Sequence, residues 1–298
     1  MDPAHGSSDG RGVSLRPFSV LVAKREWLGG AAGLLAGVAA ALLPALAAEA
    51  DLPQADVVIL GEVHDNPDHH AWQAEAIAAI APSALVFEML LPEQAAVVTP
   101  DLRADVEALG AALGWEARGW PDFAMYHPLF VAAADAAVFG GDVPSSTVRR
   151  ALDEGAAAAF GPEAGRYGLT QPLPEQEQAA REDMQARAHC DALPADLLPG
   201  MVEAQRLRDA ALARAAVKAH AATGGPVVVI AGTGHARTDW GMPAVLAVAA
   251  PELTVFSVGQ IEGRAGPDAP FDMTRATEPQ LRDDPCAAFS PEQGPALR

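Results

Sequence analysis

Five short apolar runs constrain this chain most: "DVVILG" 56–61, "ALVFEM" 84–89, "AAVFGG" 136–141, "PVVVIAG" 226–232 and "LTVFSVG" 253–259. None alternates strictly between apolar and polar residues, and long Ala-rich stretches separate them. Strands buried on both faces read this way, so the pattern predicts an α/β fold with a mainly parallel sheet flanked by helices. With 298 residues and 50% hydrophobic content, the chain can bury a core of that size.

Residues 155–222 break the rhythm. They hold no strand-like run and read as helices separated by "PLP" 172–174, "LPAD" 193–196 and "LPG" 198–200, a small helical subdomain inserted before the fourth strand. Its last helix, 201–220, carries an apolar stripe of Val202, Leu207, Ala210, Ala211 and Val217. The tail, 263–298, is rich in Pro and Asp and is expected to wrap the surface.

Residues 1–47 read as an export signal. "KRE" at 24–26 precedes an uncharged stretch from Trp27 to Ala48, and "ALA" at 45–47 offers a small-x-small cleavage site, with cleavage after Ala47. The alternative is an uncleaved membrane anchor, since the uncharged stretch is long enough to span a bilayer. No Cys lies near the site, so lipidation has no acceptor there. The expected domain is therefore 48–298, in the periplasm or cell envelope. The formal charge is -19, and removing the leader's four basic and three acidic residues leaves 16 basic against 36 acidic side chains, or -20. Such a chain does not suit a phosphate backbone, so nucleic acid is not an expected partner. Cys190 and Cys286 are the only cysteines, and export favours a disulfide between them over two free thiols. With no CxxCH, covalent c-type haem attachment is excluded.

In open α/β sheets ligands bind beyond the carboxyl ends of the strands. There the first run is followed by "GEVHDNPDHHAWQ" 61–73, which concentrates three of eight histidines. Glu62 and His64 share a face if the strand continues. Asn66 and Pro67 form an N-cap and N1 pair, placing His69 on the inward line with Gln73 and Ile77 and turning His70 to one side. Glu88 ends the second run, Asp142 follows the third, and "GTGHARTDWG" after the fourth brings His235, Arg237 and Asp239. The glycines flanking Thr233 let main chain approach a ligand closely. In "FAMYHPLF", Pro128 is expected to start a helix, with Tyr126 and His127 at its edge. Trp115 and Trp120 precede them, so this region serves either as core or as a flat aromatic wall for a planar ligand. The chain has no Walker A or HExxH motif, and Arg237 occupies the place of the third glycine in a dinucleotide fingerprint.

"VVILGEVHDNPDHHAWQ", "YHPLF", "HCDALP" 189–194, "EAQRLRDAALA" 203–213, "GTGHARTDWGMP" 232–243 and "DPC" 284–286 resemble the ChaN-like haem-binding uptake family of the Tiki superfamily. The resemblance implies a cell-envelope protein serving iron uptake through haem. The wider superfamily adds metal-dependent peptidases and erythromycin-esterase-like hydrolases, whose strand-end motifs Glu62, His64 and His235 match. Members are often lipoproteins, which this leader is not. Two functions follow. As a haem-binding protein the chain would use His64, Tyr126 or His127 on iron, with His235 nearby. Arg237 would meet the propionates, Arg149 and Arg150 would stand behind it, and a homodimer is left open. As a hydrolase it would hold zinc or manganese with His64, His235 and one of Glu62, Glu88 or His69. A metal-free version would use His64 as base, oriented by Glu62. A third reading is an interaction protein with a vestigial site.

Overall fold

The structure, a computed structural model, describes residues 52–284, 286 and 287, and the expected leader lies outside them. The first strand, β1 (Val57–Glu62), leads into α1 (Pro67–Ile80) and β2 (Ala84–Phe87). Four helices follow: α2 (Pro92–Ala95), α3 (Pro100–Arg103), α4 (Val106–Leu113) and α5 (Phe123–Ala132). After β3 (Ala137–Gly140) come α6 (Ser145–Glu154), α7 (Ala156–Phe160), α8 (Glu175–Ala188) and α9 (Leu198–Thr223). The described chain closes with β4 (Val227–Gly232), α10 (Met242–Ala249), β5 (Val255–Glu262) and β6 (Met273–Thr277).

The strands form one sheet in the order β3-β2-β4-β1-β5-β6, with every pairing parallel. Alternate residues feed two cores. Val57, Ile59, Val86, Val227 and Val229 pack on α6, α7, α9 and α10. Val58, Leu60, Leu85, Phe87, Val228 and Ile230 pack on α1, α4 and α5, where Phe87 stacks on Phe130 at 4.3 Å. Burial on both faces is why the strand sequences are continuous rather than alternating.

Two expectations need correction. The tail does not simply wrap the surface: Met273–Thr277 adds β6 beside β5. As a half-exposed edge strand, "MTRAT" has no apolar run to announce it. The helix containing Tyr126 starts at Phe123, capped by Asp122, and Pro128 lies inside it. Burial of Phe123, Tyr126, Leu129 and Phe130 carries the helix through the proline.

Residues 155–222 hold α7, α8 and most of α9, which carries Val202, Leu207, Ala210 and Ala211 inward. Cys190, just past α8, is bonded to Cys286 and ties the tail to the helical segment. The connections run in opposite senses across the sheet from β1, which hands over toward β2, and from β4, which hands over toward β5. Their adjacent carboxyl ends therefore open a crevice.

Candidate functional site at the strand ends

Glu62, the last residue of β1, is buried with its side chain in that crevice. Its Oε1 accepts from the Tyr126 hydroxyl at 2.6 Å and from His64 Nδ1 at 2.9 Å. Its Oε2 has no hydrogen-bond partner and faces His70 Nδ1 at 3.4 Å, itself unpartnered. His70 Nε2 donates to the His64 carbonyl at 2.8 Å, holding the loop that presents His64.

Glu88 follows β2 and sits between two imidazoles. Its Oε1 lies 3.3 Å from His235 Nε2 and its Oε2 3.8 Å from His64 Nε2, while Oε2 accepts from the Gly232 amide at 2.6 Å. His235 Nδ1 is 2.6 Å from Asp209 Oδ1, with the Gln205 amide 3.1 Å from the same nitrogen. A Cβ on Gly232 would meet His64 Nε2 at 2.9 Å and push that ring aside, whereas one on Gly234 would meet nothing. The close approach is thus made by His64, at the first of the two glycines.

Burial disfavours a charged His235, but the Glu88 and Asp209 carboxylates outweigh it and lift its pKa to about 10. Burial acts in the opposite sense on Glu88, where His235 and His64 prevail and hold the carboxyl far below the usual range. For His64 too, burial is outweighed, here by the Glu62 hydrogen bond and the Glu88 charge, and the pKa rises. Burial pushes the Tyr126 phenol far up, and Glu62 pushes it further, so it stays protonated.

The predicted residues separate into two groups. Glu62, His64, Glu88, His235 and Tyr126 come together. His69 does not: it turns to the other side of β1, where Nδ1 accepts from the Val63 amide at 2.9 Å and Nε2 meets Thr277 Oγ1 at 2.9 Å. Both ring nitrogens are engaged, which removes it from the expected metal set. His70, expected to one side, is the neighbour that joins the cluster. His127 donates to the Arg103 carbonyl at 2.8 Å, away from Glu62. Arg237 is held by Asp239 at 2.6 and 3.0 Å and lies over the Trp240 ring, so it is not a free cation. Arg150 pairs with Glu154 on the surface. Among the described residues, no three His, Cys, Asp or Glu side chains are spaced to hold a metal ion. The carboxylates and imidazoles are paired with each other instead.

Asp209 and Gln205 are the residues that the sequence reading missed. Asp209 lies seven positions after Val202 on the buried face of α9, so a carboxylate within an apolar stripe was the available signal. Trp120 also belongs to the site. Its ring centroid is 5.0 Å from that of His64, and it walls a groove of about 790 Å³ with Gly110, Trp115, Pro121 and Phe123. Glu62, His64 and Glu88 do not line that groove, and Trp120 is the link between the two. His64 Nε2 makes no hydrogen bond and sits on a side chain 32% exposed, whereas His70 Nδ1, also without a hydrogen bond, is buried and both nitrogens of His235 face carboxylates. The arrangement can therefore present one oriented imidazole nitrogen to a ligand or a proton.

The fold has counterparts among solved structures. ChaN of Campylobacter jejuni, described with cofacial haem binding, superposes with a TM-score of 0.57 at 19% identity, covering 73% of this chain and 86% of that one. The type III effector HopBA1 gives 0.40 at 14% identity, with 76% and 88% covered. No curated protein matches the chain. Residues 48–246, more than half of the sequence, match the family described as haem-binding uptake, Tiki superfamily, ChaN, and the chain belongs to that family.

Proposed function

We propose that this chain is a cell-envelope haem-binding protein that takes part in haem and iron uptake, with His64 as the iron ligand. The single observation that carries the reading is the open Nε2 of His64, oriented through Nδ1 by Glu62 and set against the Trp120 ring. The imidazole of His64 would hold haem iron, and a ring nitrogen steadied by a carboxylate on its far side is a well-oriented donor. Tyr126 fits that role less well, because its hydroxyl donates to Glu62 at 2.6 Å and the phenol is held protonated. Trp120 and the apolar groove beside it supply a surface suited to a porphyrin. Membership of a haem-binding uptake family supports the ligand class, and the leader-like residues 1–47 support an envelope location.

The test is an absorbance titration of the protein with haemin in the Soret region. A saturable shift is expected in the wild type, absent or moved in His64→Ala and kept in Tyr126→Phe. No saturable shift in the wild type would overturn haem binding, and an unchanged spectrum in His64→Ala would overturn the ligand assignment.

A further inference from the structure

The sheet ends at β3 on one side, and there its open edge is walled into a groove that haem binding does not use. The Ala137 and Gly141 amides donate toward β2, to the Ser83 and Phe87 carbonyls at 3.0 and 2.9 Å. Alternation along a parallel strand then turns the main-chain groups of Val138 and Gly140 away from β2. Among the described residues these outward amides and carbonyls have no hydrogen-bond partner. A strand edge in that state can accept a further strand.

Helices stand on both sides of the edge. The connection from β2 into α2 lies against Gly140, where an added Cβ would collide with the Leu90 carbonyl and with Leu91. Pro92 and Ala96 form the wall on that side, and α9 supplies the other with Arg214, Ala215 and Lys218. The groove between them has a volume of about 300 Å³ and reaches Val138 and Gly140.

The two walls differ in chemistry. Pro92 and Ala96 are apolar, whereas Arg214 and Lys218 are cations one helical turn apart. Among the described residues neither takes part in an ion pair. The Arg214 guanidinium lies over the Phe160 ring at 4.1 Å, and Lys218 is exposed. Asp142, just beyond β3 at the end of the groove, is buried and already holds Arg118 and Arg208, the latter at 3.1 Å. It does not neutralise the α9 pair. In a chain of net charge -19, two uncompensated cations on one wall are a local exception that favours an anionic occupant.

Four positions on a helix advance about 6 Å along its axis, and side chains two apart on one face of an extended peptide are about 6.8 Å apart. The intervening side chain turns the other way, toward Pro92 and Ala96. We propose that the β3 edge is a docking groove for an extended acidic segment of a partner protein, which adds a strand to the sheet and presents acidic, apolar and acidic residues in succession. Main-chain pairing with Val138 and Gly140 supplies attachment, and the charges on α9 supply selection. The proposal goes beyond haem binding and does not rest on it.

The probe is a fluorescein-labelled peptide of alternating glutamate and valine, titrated against the full chain by fluorescence anisotropy, with a peptide of alternating lysine and valine as control. Saturable binding of the acidic peptide is expected, about tenfold or more tighter than the control and weakening as salt rises. Carbodiimide should couple the bound peptide to Lys218, the chain's only lysine besides Lys24. Lys218→Glu, a change at an exposed position, is expected to lower the affinity about tenfold. Val138→Pro removes an outward amide without breaking the ladder to β2 and should abolish binding. Lys218→Glu keeps the proposal testable even if the proline variant does not fold. No saturable binding, equal affinity for the two peptides, or full affinity in Lys218→Glu would overturn the proposal. A concentration-dependent dimer that Val138→Pro dissolves and the acidic peptide does not displace would assign the edge to a second copy and overturn it as well.

Discussion

Two polar clusters sit at the carboxyl edge of the same sheet, on opposite sides of β1, and are built from the same residue types. On the β5–β6 side, His69 uses both ring nitrogens, Asn66 caps α1 and donates to Glu262 at 2.7 Å, and Arg282 bridges Glu262 and Asp65 at 2.6–2.7 Å. On the β2–β4 side, Glu62 Oε2 and His70 Nδ1 are buried 3.4 Å apart with no hydrogen bond to either, and His64 Nε2 makes none. The first cluster closes upon itself and acts as a clasp. The second leaves groups unsatisfied, which a fold retains at a cost and which marks a place for a ligand or a proton. Histidines and carboxylates in one stretch of sequence are therefore not one site; adjacent residues, His69 and His70, serve opposite clusters.

The largest expected difference between the clusters is in stability. Glu88→Ala removes the carboxylate that His235 and His64 share inside the protein and should cost ~3–5 kcal/mol by chemical denaturation. Near-neutral stability would mean that His235 is not held charged. Next comes the Cys190–Cys286 bond, which ties the tail carrying Arg282 to the helical segment. Cys190→Ser/Cys286→Ser should cost ~2–4 kcal/mol, and no measurable change in urea unfolding would show that the tail is held without it.

The pH response should separate the two clusters with opposite signs. His235 is raised to about 10 in the fold from an ordinary 6.5, so its contribution is complete below pH 6.5 and disappears as pH climbs toward 10. Burial pulls His69 down to about 4, so its contribution is complete above pH 6.5 and declines as pH falls toward 4. Each limb has a slope of at most ~1.4 kcal/mol per pH unit. Melting curves of His69→Gln should flatten the limb between pH 6.5 and 4.5 and leave the alkaline limb unchanged. Flattening of both limbs would show that the clusters are coupled. The smallest effect is expected from Arg282→Ala, an exposed pairing whose loss should cost ~0–1 kcal/mol and leave haemin affinity unchanged. A drop in haemin affinity would make the clasp part of the site.

Much of this was legible beforehand. β1, β2 and β4 announced themselves because burial on both faces demands continuous apolar runs, and the α1 start at Asn66 and Pro67 follows from local capping chemistry. β6 was hidden because edge pairing needs only backbone, and Pro128 misled because Asp122 already supplied the cap. Arg237 was plausible as a cation until Asp239, two residues away, proved to hold it.

The sequence by itself determined the strands, their helical crossovers and the placing of Glu62, His64, Glu88 and His235 near strand ends, since each depends on local pattern and on the period of a strand or helix. Only the tertiary structure decided that His70 rather than His69 faces Glu62, that Asp209 backs His235 from α9, and that Arg118 and Arg208 share Asp142. Those pairings join residues up to 66 positions apart, and which donor meets which acceptor depends on how layers pack, a relation no local period encodes.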